Sequence, residues 1–309
     1  MAYPVLLDTD MGVDDAVALT LALCAEEVEL AGVTTVAGNV SAEQAARNAG
    51  RCLGVLRPAK PPRVACGLEQ SEPGMAGAAH VFGRDGLGEV DLPLPEDWRY
   101  ENGLDLYEQA ARCYGGRFVV VAIGPLTNLA AVLRKNPSPL ARAERIVIMG
   151  GAVFCPGNVT PKAEFNVWRD PAAAAAVFAS GLPITLVPLD VTQKVALDES
   201  HIAHLLASNT RSGQMLARMM EYPLRQEGIV PAGRVLVHDA LAIGVLLWPE
   251  LFLQTQMSLK VATEGPERGR TSPVIGKSRS EKVSVILSVQ VADFVERALA
   301  LLCHEKFVV

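Results

Sequence analysis

The chain alternates short, continuously apolar runs with longer stretches whose apolar positions recur every three or four residues. Residues 4–8 (PVLLD) predict a strand, and the helix-period stretch Val13–Cys24 follows it directly. VELAGVTTVAG repeats the strand signal, and a helix is predicted from about Ser41 to Leu56. The same rhythm returns in RFVVVAIG (117–124), RIVIMGG (145–151) and PITLVPLD (183–190), each followed by a turn and a helical or polar stretch. The tail, KVSVILSVQVADFVERALALL, adds one more strand and helix. Short strands that lack polar alternation and are separated by helices must be covered on both sides, which describes a parallel sheet. The predicted fold class is therefore α/β: a single open, mostly parallel sheet with helices on both faces.

Two stretches interrupt the rhythm. Residues 67–100 are rich in Gly and Pro, and 152–168 contain CPGNVTPK. Loops of this length inside a compact α/β unit more often serve function than idle connection. No repeat, low-complexity tract or linker marks a boundary, so 1–309 reads as one domain. The segment Met219–Arg234, with Tyr222, Arg225, Gly228 and Gly233, is a candidate flap over the site.

Composition excludes more than it assigns. With a net charge of -6 and no long basic run, the chain is not expected to bind nucleic acid, and its few aromatics offer no base-stacking surface. The six cysteines are scattered without a C-x-x-C pair, as expected of reduced thiols in a cytoplasmic protein. Asp8 and Asp10 interrupt the apolar stretch a signal peptide would need. The most apolar run, Ala172–Leu189, is broken by Ser180, Gly181, Pro183 and Pro188, so no membrane span is expected.

Candidate chemistry concentrates at the first strand. Asp8, Asp10, Asp14 and Asp15 fall close together, and the first Lys or Arg of the chain is Arg47. Carboxylates crowded without a local cation either take up protons or hold a metal. Asp10 lies where the first strand ends, Gly12 permits a tight turn, and Asp14 and Asp15 begin the next helix. Ligands bind at this strand-to-helix edge in open α/β sheets, and acidic groups suit the positive end of the helix dipole. The alternative is a set of solvated carboxylates that cap the helix. An all-oxygen set points to Ca²⁺ or Mg²⁺ rather than zinc.

DTDMGVDDA, as a whole, resembles the N-terminal signature of the inosine-uridine-preferring nucleoside hydrolase family. TTVAGN (34–39), GRDGLG (83–88), IGPLTNLA (123–130), MGGAVFCPGNVTPKAEFNVWRDPAAA (149–174) and VHDALA (237–242) resemble its later motifs, in order and over nearly the full length. The resemblance implies a Rossmann-like core, a homodimer or homotetramer, and hydrolysis of ribonucleosides to ribose and free base. It implies one Ca²⁺ on Asp10, Asp15, the carbonyl oxygen of Ile123 and Asp239, together with a water and the ribose 2′- and 3′-hydroxyls. Asp10 would take the water's proton and Asp14 would contact the 2′-hydroxyl. Asn39, Asn158, Glu164 and Asn166 would bind the ribose, with Asn158 and Glu164 towards the 5′-hydroxyl. Taken alone, the Asn residues read more readily as turn formers, and His238 as an ordinary structural histidine. The family places His238 where it can protonate the leaving base.

Two positions depart from the family pattern. Met11 replaces a usual proline, a change the turn is expected to tolerate through Gly12. Phe82 stands where many members carry a second histidine against the base, with His80 two residues before it. A purine preference, inosine over cytidine, is expected from the pair Phe82 and His238. Two other functions compete. LLDTD imitates the D-x-D motif of haloacid-dehalogenase-type phosphatases, which would make Asp8 a nucleophile. A non-catalytic nucleoside-binding protein would need the ribose contacts but no water-activating base.

Overall fold

The computed structural model describes residues 2–69, 77–226, 233–274 and 282–304. β1 (Tyr3–Thr9) leads into α1 (Val13–Cys24), and β2 (Val28–Thr35) into α2 (Ala42–Leu56). β3 (Val64–Cys66) and the short α3 (Ala79–Phe82) precede β4 (Glu101–Asn102) and α4 (Asp105–Tyr114). β5 (Val119–Ala122) is followed by α5 (Thr127–Lys135) and α6 (Ser138–Ala141), and β6 (Arg145–Met149) by α7 (Phe165–Arg169) and α8 (Pro171–Phe178). β7 (Ile184–Val187) runs into α9 (Leu189–Thr192). Then come β8 (Ala196–Asp198), α10 (Glu199–Ala207), α11 (Arg211–Leu224), β9 (Arg234–Leu236) and α12 (Ala240–Leu247). β10 (Phe252–Val261), β11 (Thr271–Val274), β12 (Val283–Val289) and α13 (Val291–Leu302) close the chain.

The main sheet has ten strands in the order β11-β10-β12-β7-β6-β5-β1-β2-β3-β4. From β12 to β4 every pairing is parallel. Side chains alternate across each strand: Val5 and Leu7 enter one core with α1, α2, α11, α12 and α13, while Leu6 enters the opposite core with α4, α5 and α8. This is the expected sheet with helices on both faces. The sequence reading missed the antiparallel edge, where β10 pairs with β12 and β11, and the separate antiparallel pair β8–β9. β10 is exposed from Leu253 to Gln256, so it has neither the continuous apolar run of a buried strand nor a clean alternation.

Strands β1-β2-β3 step one way from the sheet's centre, and β5-β6-β7 step the other. The crevice beyond the C-terminal ends of β1 and β5 is therefore the topological switch point, where this architecture binds ligands. Asp8 pairs with Ala122, so the segments Thr9–Asp10 and Ile123–Gly124 leave the sheet side by side.

The turn after β1 corrects an expectation. Met11, not Gly12, takes the left-handed conformation, with φ 43°, while Gly12 is extended at φ -85°, ψ -170°. Such a backbone costs a non-glycine residue about 1–3 kcal/mol. Here the Met11 amide donates to Thr9 Oγ1 at 3.1 Å and its carbonyl accepts from Asn48 Nδ2 at 3.2 Å. Gly12 is needed for space, because a Cβ there would lie 2.6 Å from Asn39 Nδ2. Of the candidate flap, Met219–Leu224 ends α11, whereas residues 227–232 lie outside the described residues, as do 70–76 of the first long loop. Among the described residues, no helix is long and apolar enough to cross a membrane.

Candidate active site

Four aspartates meet at the switch point. Asp10 follows β1, Asp14 and Asp15 open α1, and Asp239 immediately precedes α12. All four are buried. Oxygen atoms of Asp14, Asp15 and Asp239 lie within 4.8 Å of one another, and Asp10 contacts Asp15. Burial first, and then the charge of neighbouring aspartates, holds Asp10, Asp14 and Asp239 well above the usual carboxylate pKa. Asp15 is also raised by burial, against the hydrogen bonds from Thr9 Oγ1 (2.5 Å) and the Gly12 amide (2.7 Å). Asp14 Oδ1 is buried without a hydrogen-bond partner. An acceptor-only atom left bare among repelling carboxylates is what a hard divalent cation would satisfy, so this donor set fits a metal.

Asn39 ties two of these acids together. Its backbone amide donates to Asp10 Oδ2 at 2.7 Å, and its side-chain nitrogen donates to Asp10 Oδ1 at 3.2 Å and Asp15 Oδ2 at 3.1 Å. Both side-chain hydrogens are thereby committed, so of its side chain only Oδ1 remains for another partner.

The 152–168 loop supplies further lining. Glu164 caps α7: Oε1 accepts from the Asn166 amide at 2.7 Å, and Oε2 from the Gly151 and Val167 amides at 2.8 and 3.1 Å. Burial raises its pKa and these backbone donors oppose the rise. Asn158 Oδ1 accepts from the Phe165 amide at 2.9 Å. Asn166 Nδ2 donates to the carbonyl oxygen of Ile123 at 2.8 Å. Glu164 thus caps a helix, and Asn158 and Asn166 hold backbone groups of other segments, on side chains that also face the pocket.

One pocket gathers these groups. Asp10, Asp14, Asn39, Ile123, Asn158, Glu164, Asn166 and Asp239 line it, as do Phe82 and His238; Asp15 alone of the predicted residues stands behind its surface. His80 also reaches the lining. Sequence reasoning missed the apolar wall of Val81, Val159, Phe165, Val235 and Leu236. Phe165 was the findable one, lying between two selected residues. His238 is partly open to the pocket but surrounded by protein, and burial lowers its pKa to about 4.

Asp8 is in another place. It is fully buried beneath the site, where Oδ2 accepts from Thr34 Oγ1 at 2.5 Å, Tyr107 Oη at 2.6 Å and Asn128 Nδ2 at 2.8 Å. Burial pushes its pKa up to about 6. It does not line the pocket, so it is not placed to attack a phosphate as the phosphatase reading requires.

A doubly wound sheet with an oxygen-rich pocket at its switch point defines a protein that binds a small polar ligand with an apolar part. Comparison with known proteins narrows this class. The family described as inosine-uridine preferring nucleoside hydrolase matches residues 5–296. Uridine nucleosidase 1 of Arabidopsis thaliana is 34% identical over 275 residues, covering 86% of this chain and 80% of the relative. The non-specific ribonucleoside hydrolase RihC of Shigella boydii is 37% identical, covering 94% and 95%. The solved purine-preferring ribonucleoside hydrolase from Gardnerella vaginalis superposes with a TM-score of 0.90 at 33% identity, over 97% of this chain and 98% of that one. The chain belongs to the inosine-uridine preferring nucleoside hydrolase family and is a nucleoside hydrolase.

Proposed function

We propose that the chain hydrolyses the C1′–N bond of ribonucleosides to ribose and free base, with Ca²⁺ held by Asp10, Asp15, Asp239 and the Ile123 carbonyl. The observation that carries this reading is the mixed lining of the pocket: buried carboxylates and amides together with the apolar Val81, Phe82, Val159, Val235 and Leu236. The sugar takes the polar groups and the base the apolar ones. Calcium, when bound, lowers the pKa of a water in its shell and orients the ribose 2′- and 3′-hydroxyls.

The chain's own groups complete the chemistry. Asp10 accepts a proton from the attacking water, whose oxygen adds to C1′ as the base leaves with the bonding electron pair, which then takes a proton from solvent. Asp14 receives the 2′-hydroxyl. Asn158 and Glu164 hold the 5′-hydroxyl, and Asn166 and Asn39 Oδ1 complete the sugar contacts. Phe82 packs on the base and excludes water. His238, neutral at pH 7 because of its burial, serves as a hydrogen-bond donor to the departing base rather than as an imidazolium acid. We take residues 1–309 as one domain, because β1 and β12, from opposite ends of the chain, share a sheet. By family resemblance the proposal extends to a homodimer or homotetramer in the cytoplasm.

Incubation with inosine, uridine, adenosine, cytidine and 2′-deoxyinosine, followed by chromatography of the free base, tests the proposal. Ribonucleosides should release base, with a higher kcat/KM for inosine than for cytidine. Loss of a hydroxyl that the site is built to bind should make 2′-deoxyinosine about 10⁴-fold poorer. Binding without release would leave a nucleoside-binding protein, and equal rates on deoxyinosine would remove the sugar assignment.

Gly38 gives a second check. A Cβ at this position would lie 1.9 Å from Asp10 Oδ2 and 2.8 Å from Pro125 Cδ. Gly38→Ala must displace the Asp10 carboxylate, and a displacement of that size should lower kcat about a hundredfold in a protein whose circular dichroism is unchanged. Normal turnover in a folded Gly38→Ala would show that the position of Asp10 is not critical.

A further inference from the structure

We propose that Thr192 is a positioning residue for departure of the base: its hydroxyl donates to Nδ1 of His238 and thereby keeps the ring's proton on Nε2, facing the pocket. The inference rests on the reading above in which His238 serves the leaving base.

The contact is built into the fold. Thr192 ends α9, just beyond β7, and is fully buried. His238 lies between β9 and α12, some forty residues later in the chain, yet Thr192 Oγ1 and His238 Nδ1 are 2.8 Å apart. The small β8–β9 sheet brings them together. Ala196 pairs with Leu236 and Leu197 with Val235, and the Val237 amide extends the ladder to the Val195 carbonyl at 3.4 Å. The two side chains meet where that ladder runs out.

Hydrogen bookkeeping then sets the direction of the bond. A threonine hydroxyl on a helix commonly returns its proton to the carbonyl four residues back, as Thr20 does here to Ala16 at 2.7 Å. Thr192 makes no such bond. Among the described residues the only hydrogen-bond partner of its side chain is His238. Were Nδ1 the donor, the hydroxyl hydrogen would be left buried and unsatisfied, which is costly. Donation from Thr192 to a bare Nδ1 avoids that cost and places the ring hydrogen on Nε2. His238 lines the pocket and Thr192 does not, so Nε2–H is the polar group the pair presents to a ligand.

This arrangement selects a chemistry. A fixed N–H donor stabilises the electron pair left on the base as the C1′–N bond breaks, and it favours bases with a nitrogen or carbonyl acceptor at that edge. It gives nothing to a leaving group that is already a stable anion.

The test uses the full-length, calcium-loaded enzyme with Thr192→Val, which keeps the shape without the hydroxyl, and Thr192→Ser, which keeps the hydroxyl. On inosine, Thr192→Val should lose about tenfold in kcat, the worth of one hydrogen bond, with KM little changed, and Thr192→Ser should recover most of it. On 4-nitrophenyl β-D-ribofuranoside, whose nitrophenolate leaves without a donor, Thr192→Val should lose far less. Nitrogen-15 NMR of the histidine rings should show His238 protonated at Nε2 in the parent enzyme and in Thr192→Ser, with the proton redistributed in Thr192→Val. A parent ring protonated at Nδ1, or equal losses on both substrates, would overturn the proposal. His238→Ala separates the two levels. If it cleaves inosine normally, the role of His238 falls and that of Thr192 with it. If it is impaired while Thr192→Val is not, only the role of Thr192 falls.

Discussion

Asp10→Asn is expected to lower kcat by at least about a hundredfold, the usual worth of a general base, while a ribose analogue still binds. The substitution is not electrically innocent, because Asn39 donates to both Asp10 oxygens. An amide at position 10 must turn its NH₂ towards one of these donors. The weaker contact yields, since the 3.2 Å bond comes from a side-chain nitrogen that also has Asp15 as a partner. The 2.7 Å bond from the Asn39 backbone amide then keeps the amide oxygen in place of Oδ2. The variant should therefore fold, retain one oxygen at the metal and fail in proton transfer. Turnover, elemental analysis for calcium and calorimetry with the analogue check these three points together. Turnover near the parent rate in metal-loaded Asp10→Asn would require another base. Loss of metal would make the kinetic effect one of binding.

The central strands were legible because each is buried on both faces and so reads as an unbroken apolar run; Val119–Ala122 and Ile184–Val187 are wholly buried. Strands that owe their place to pairing gave no such signal. β4 is only Glu101–Asn102, hydrogen-bonded beside β3 at the sheet's edge, and the polar stretch of β10 faces solvent. The Met11 turn was hidden for a different reason. Methionine carries no preference for a left-handed backbone, and here surrounding hydrogen bonds impose it.

At the site, local chemistry and long-range assembly separated cleanly. A run of aspartates without a nearby cation could be read directly as a charge problem that needs a solution. That Asp239 joins Asp14 and Asp15 could not, because the contact spans most of the chain; family resemblance supplied it. Val235 and Leu236 look like core residues in sequence and Val159 like an incidental loop residue, and only the fold turns them towards the pocket. Thr192 is silent in sequence for the same reason. Its meaning comes from the β8–β9 ladder that carries His238 to it.

Metal-free protein is expected to lose stability as pH rises, and calcium to abolish most of that slope. The sign follows from proton binding. Asp10, Asp14, Asp15 and Asp239 have folded-state pKa values raised by burial, and all but Asp15 are raised further by aspartate neighbours. In the unfolded chain such groups titrate near 3.9. Above about pH 4 the folded, metal-free protein therefore holds more protons than the unfolded chain, and its stability falls as pH climbs through the folded-state values. Asp8, pushed up to about 6, places part of this loss between about pH 4 and 6, and the more strongly raised groups extend it upwards. A divalent cation favours the charged forms and replaces the protons. At a thousandfold excess over its Kd it adds about 4 kcal/mol, visible as a raised Tm. Asp239→Ala sharpens the test, since it removes both a ligand and a repelling charge. No side-chain capping bond is lost with it, because Asp239 makes none to α12. Chelated Asp239→Ala should melt higher than the chelated parent at pH 7.5, and the order should reverse in calcium. Thermal melts from pH 4 to 8, with chelator or with calcium, read both effects. A chelated parent that gains stability with pH, or an Asp239→Ala that melts lower under both conditions, would mean the carboxylates are not held together against their own repulsion.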